Sequence, residues 1–128
     1  MQSRIINFVI PALLLAGSVS AQERTERFIP IGMSPGISGV YSMVGTIGAV
    51  DADARTVTVQ SGVETWTVRV TDETDIWIDR SGVRQTNLVG SWSDLEVGRT
   101  IEIKCVDYET KEEADWVKVA GGPGGVGR

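Results

Sequence analysis

Apolar and polar residues alternate with a period of two across most of residues 43–120, and no stretch there keeps a helical period. Residues 44–50 open this region as a first strand, with Gly45 and Gly48 as bend or bulge points. Asp51-Ala52-Asp53-Ala54 is turn chemistry, because Asp side chains bond to backbone amides just downstream. Residues 55–60 place Val57 and Val59 on one face and Thr56 and Thr58 on the other. After Ser61-Gly62, residues 63–70 send Trp66, Val68 and Val70 inward. The first three strands read as a meander.

A short strand at residues 75–79 follows, with Ile76 and Ile78 inward, then a polar, mostly irregular run over residues 80–90. Residues 91–96 fit one helical turn capped by Ser91 or Ser93, and Gly98 ends it. Residues 99–108 form the clearest strand, with Ile101, Ile103 and Cys105 on one side and Glu102, Lys104, Val106 and Tyr108 on the other. Residues 109–113 are a charged turn, and residues 114–120 return with Val117 and Val119 inward. With no amphipathic helix to cover a face, these strands must bury their apolar side against one another. The expected fold is therefore all-β, a small five- to six-stranded OB-like, partly open barrel. A minimal β-sandwich is the alternative.

The flanks follow other rules. Residues 1–21 read as a signal peptide: Arg4 supplies the positive charge, and residues 5–16 the apolar run, broken by Asn7 and Pro11. Val19-Ser20-Ala21 offers small residues before Gln22. Leu15-Ala16-Gly17-Ser18 resembles a lipoprotein signal with serine in place of the lipid-bearing cysteine, so no membrane anchor is expected after cleavage. A periplasmic or secreted location follows. Residues 22–42, rich in Pro, Gly and charge, read as a flexible or surface-draped arm, and residues 121–128 as a glycine-rich tail.

Composition narrows the chemistry. The chain carries 12 Lys and Arg against 17 Asp and Glu. Loss of Arg4 with the signal makes the mature chain still more acidic, which disfavours a nucleic-acid partner. No histidine is present, which removes the usual general base and the commonest metal ligand. Cys105 is the sole cysteine, so no intrachain disulfide forms, and its inward parity makes it a small hydrophobe. No catalytic residue, metal site or cofactor is expected.

Taken in order, Gly45-Thr46-Ile47, Val50-Asp51, Thr56-Val57-Thr58-Val59, Thr74-Asp75-Ile76, Asp94-Leu95-Glu96-Val97-Gly98 and Ile101-Glu102-Ile103 resemble a bacterial exported domain-of-unknown-function family. Its motifs run G-T-V-x-x-V-D, T-V-T-V, D-L-x-V-G and V-x-V. The resemblance implies a small OB-like barrel behind a signal peptide and brings no catalytic residues. In the D-L-x-V-G step, Leu95 and Val97 are expected to plug one barrel end while Gly98 allows sharp re-entry into a strand.

The candidate binding residues are the outer-face aromatics Trp77, Tyr108 and Trp116, since such rings on OB-like barrels stack on bases, sugars or peptide side chains. The competing expectation is that they pack beneath the arm, against Phe28, Ile29, Ile31 and Tyr41. Asp72, Glu73, Asp75 and Asp79, with Asp51 and Asp53, read as a solvated acidic rim, lacking calcium-loop spacing. Arg80, Arg84, Arg99 and Lys104 form at most a scattered anion-binding spot. Two functions follow: a binding module for a peptide, glycan or small molecule, or an envelope assembly component working by strand addition or arm exchange.

Overall fold

The computed structural model describes residues 26–121; the expected signal peptide, the start of the expected arm and most of the expected tail lie outside them. Seven strands make one sheet: β1 Ser42–Asp51, β2 Thr56–Ser61, β3 Glu64–Arg69, β4 Asp75–Asp79, β5 Leu88–Val89, β6 Thr100–Cys105 and β7 Ala114–Ala120. Their order across the sheet is β3-β2-β1-β6-β7-β4-β5.

The meander forms where the alternation places it. Asp51 Oδ1 accepts the N–H groups of Asp53 and Ala54 at 3.0 and 3.1 Å, turning β1 into β2. Gly62, at φ +62°, takes the first central position of the β2–β3 hairpin, where a positive φ matches the twist of the strands. Val57 then faces Val68, and Val59 faces Trp66, all four buried.

Closure comes from the chain's course after β3. Five residues separate β3 from β4, yet these two strands stand far apart in the sheet order, so the sheet has to curl until its ends meet. Arg69 N–H donates to Glu112 O at 2.8 Å, and Arg69 makes a parallel bridge to Glu113. From there β4 runs parallel to β7, from Asp75 opposite Trp116 to Asp79 opposite Ala120. An antiparallel meander closed by one parallel pairing is the partly open OB-like barrel, and among the described residues no second sheet packs across it to make a sandwich. The strand count exceeds expectation because β5 has only two residues and sits inside the run that reads as irregular.

β1 carries the curvature. Its first half, Ser42 to Thr46, pairs with β6, and its second half pairs with β2, with a register shift between Ile47 and Ala49 that places a bulge at Gly48. A Cβ on Gly45 would stand 2.3 Å from the Gln60 carbonyl oxygen, so only glycine lets β1 cross this close to β2.

Ile47, Val57, Val59, Val68, Val70, Ile101, Ile103, Val117 and Val119 fill the interior, with Trp66, Leu95, Ala114 and Cys105. Ser91 begins a 3-10 turn, Trp92–Asp94, closed by reciprocal bonds between Ser91 and Asp94. Gly98, at φ +96°, returns the chain toward β6. Leu95 plugs the barrel as expected, but Val97 is 63% exposed, because the turn toward Gly98 carries it away from the interior.

Candidate functional site

The outer face of the sheet is where the structure departs most from the strand pattern. Glu102 on β6 and Lys118 on β7 are cross-strand partners on the outward parity, yet neither has any exposed surface. Residues 26–41 lie over them as a chain of turns. Lys118 Nζ reaches Glu26 Oε1 at 2.7 Å and Ser34 Oγ at 2.9 Å. Ser34 Oγ also donates to Glu26 Oε1 at 3.1 Å. Glu102 accepts from Ser38 Oγ and Ser42 Oγ, both at 2.6 Å, and from Gly32 N–H at 2.8 Å. Two carboxylates and one ammonium are thus buried together, and their hydrogen bonds are what make that burial tolerable.

Two further residues hold the arm. Asn87, 3% exposed, donates through Nδ2 to the carbonyls of Glu26 and Ile29 at 2.9 Å each. Asp79 accepts Ile31 N–H at 2.8 Å and Ser81 N–H at 2.7 Å. Asp79 is 8% exposed, so it is not part of a solvated rim: a carboxylate with fixed amide donors trades water for them.

Two of the expected aromatics lie beside this cover. Trp77 and Trp116 are on the outward parity, outside the barrel core, but only 4% and 3% exposed. Arg27 stands 5.3 Å over the Trp77 ring and Lys118 4.7 Å over Trp116. The Trp116 Nε1 is buried with no hydrogen-bond partner among the described residues. The arm does not cover them with its own aromatics, since Phe28 and Tyr41 are 65% and 53% exposed. Glu26, Ser34 and Ser38 face the sheet, while Phe28, Met33, Val40 and Tyr41 are more than half exposed and Ile29, Ile31 and Ile37 are half-buried.

Tyr108 is placed apart from the two tryptophans. β6 ends at Cys105 because Asp107 Oδ1 takes Glu109 N–H at 2.8 Å, bending the chain into a loop that Val106 N–H closes on Glu113 O. Tyr108, 40% exposed, therefore belongs to the β6–β7 loop. Its ring meets Tyr41 edge-on, centroids 5.9 Å apart, and Trp66 at the same separation. Lys111 Nζ lies 4.4 Å from the Tyr108 centroid and 5.4 Å from that of Trp66. Tyr41, Trp66, Tyr108 and Lys111 form a platform with two accessible tyrosines backed by a buried tryptophan. Tyr41 enters the sequence reading only as an arm residue packing on the outer-face aromatics, and it does touch Tyr108; Lys111 escapes sequence reasoning because the charged turn carries no period. Asp107, a turn former inside an apparent strand, was the available signal.

No protein-family model matches the chain, and no curated protein matches it. One solved structure, the crystal structure of Ag(I)CusF, aligns at 15% identity and a TM-score of 0.40, covering 61% of this chain and 93% of that one. The barrel is recognised from its own strand order.

Other chemistries find little support here. Among the described residues no three His, Cys, Asp or Glu side chains group as metal ligands. Arg80 bonds to Thr86 O, Arg99 to Glu96 and Lys104 to Asp115, so these cations do not gather around an anion. Burial pushes the Cys105 thiol up to about 11, against the opposing pull of Lys111 and Lys104, which keeps it protonated and unreactive. Ser34 and Lys118 are within hydrogen-bond distance, and Lys118 also pairs with Glu26.

Proposed function

We propose that this chain is an exported, non-catalytic binding module of the domain-of-unknown-function type its motifs resemble, taking a peptide, glycan or small molecule on the platform of Tyr41, Trp66, Tyr108 and Lys111. The observation that carries the reading is the Tyr108 ring, held edge-on by two aromatic neighbours under an ammonium group while two-fifths of its surface stays open. Rings fixed in this way lose little entropy on contact with a ligand. The signal-like sequence of residues 1–21 supports export to the periplasm or medium.

Trp66 touches Tyr108, so its fluorescence reports on the platform. A peptide and glycan panel is expected to quench or shift that emission, and Tyr108→Ala is expected to weaken the responding ligand by about tenfold or more, the scale of one lost aromatic contact. If Tyr108→Ala and Tyr41→Ala both bind as the parent does, the platform is not the site.

The assembly alternative draws on the apolar side chains of the arm, of which Phe28, Met33, Val40 and Tyr41 are more than half exposed. Exchange of arms between copies would show as concentration-dependent dimers by light scattering, with no response to the panel.

A further inference from the structure

The platform adjoins an open sheet edge. Val70 N–H donates to Arg55 O at 2.8 Å, and with Val68 opposite Val57 and Trp66 opposite Val59, the even-numbered residues of β3 direct their backbone groups to β2. Arg69 N–H points the other way, to Glu112 O. Thr65 and Thr67 share the direction of Arg69. Beyond Arg69 the β6–β7 loop bends off, and no backbone or side-chain partner among the described residues meets the N–H or C=O of either threonine. Both residues are exposed, and β3 is an end strand of the sheet. The residue between them is Trp66, the one touched by Tyr108 and Lys111. Edge and platform are therefore one surface. The opposite end strand, β5, has two residues and offers much less.

We propose that this surface binds an extended peptide by adding it as a strand to β3, with an acidic side chain of the peptide settling beside Lys111. This rests on the platform reading and assigns its ligand class. Paired donors and acceptors that recur at every second residue of a strand, about 6.6–6.8 Å apart, match polypeptide main chain, which is how strand addition gains affinity without sequence demands. Specificity then comes from the side chain opposite Trp66, which must point to the same face. There it meets the edges of Tyr41 and Tyr108 and the Lys111 ammonium. Among the described residues no salt bridge holds Lys111, nor Arg27, Arg55, Arg80 or Arg84, whereas Arg69, Arg99, Lys104 and Lys118 each have one; of the unbridged cations it is Lys111 that lies over Tyr108 and Trp66.

Amide exchange of the nitrogen-labelled protein with the blocked peptide Val-Thr-Glu-Thr-Val tests this. Thr65 and Thr67 amides are expected to exchange at least about tenfold more slowly with peptide bound. Lys111→Glu is expected to weaken binding about tenfold or more, and N-methylation of alternate peptide residues to abolish it. Thr65→Pro removes one edge donor at a position where a sheet tolerates proline and should abolish the slowing. Should that variant fail to fold, the methylated peptide makes the same test on the parent. If Tyr41 and Tyr108 resonances move while the two amides exchange as before, strand addition is overturned and the platform stands. Silence of both at millimolar peptide also overturns it, and the platform reading then falls only if Tyr108→Ala matches the parent across the glycan and small-molecule panel.

Discussion

Lys118 is the residue on which the outer face turns. Its ammonium neutralises one of two buried carboxylates and lies over the Trp116 ring. Replacing it with methionine keeps most of the volume and leaves Glu26 without its cation. Breaking one side of a buried pair costs about 3–5 kcal/mol, and that loss is expected for Lys118→Met by urea denaturation. Adding Glu26→Gln removes the stranded charge and should restore most of it. A single variant within about 1 kcal/mol of the parent would mean that the arm simply lifts and lets water in. None of this was legible in the strand pattern: Glu102 and Lys118 look like an ordinary ion pair on a wet face, as alternation gives parity and says nothing of what lies above. The serines at 34, 38 and 42, spaced by four, were the trace of their partners, but serine is so common in loops that the spacing alone carried no chemistry.

At the scale of elements, the alternation located β2, β3 and β4 to within a residue, because each is bounded by a turn with its own chemistry: Asp51, Gly62, and the Thr71–Thr74 bend that Thr74 Oγ1 ties to Ala114 O at 2.8 Å. It overran β6, where Val106 and Tyr108 continue the period past the turn made by Asp107. It also missed β5, too short to show any period. The expected bends in β1 both have physical causes, the bulge at Gly48 and the crossing at Gly45. Gly45→Ala drives a methyl group into the Gln60 carbonyl, a rigid backbone atom. The expected result is a loss of roughly 1–3 kcal/mol from overpacking, read as a lower urea midpoint. The same substitution at Gly48 meets nothing closer than 3.7 Å and should cost far less, so equal effects at the two sites would contradict the close crossing.

For the whole molecule, the question is whether the arm belongs to the fold or only covers it. Every residue of the interior cluster lies at or beyond Met43, so the barrel contains its own core. The arm is joined to it by hydrogen bonds and an ion pair to Asn87, Asp79, Glu102 and Lys118, and by ring contacts of Arg27 with Trp77 and Tyr41 with Tyr108. A chain beginning at Ser42 should therefore keep the circular dichroism of a β-barrel while exposing Trp77 and Trp116. An aromatic side chain buries roughly 150–250 Å², so uncovering part of two such rings is expected to cost on the order of 3–6 kcal/mol and to shift tryptophan emission to the red. Adding residues 22–41 as a synthetic peptide should reverse the shift, because Glu26, Arg27, Ile29, Ile31, Gly32, Ser34 and Ser38 carry the polar bonds that seat it. Loss of the barrel on truncation would make the arm part of the folding unit. Retention of the barrel with no red shift would mean that the sheet itself closes over the tryptophans, and the arm would then be ornament.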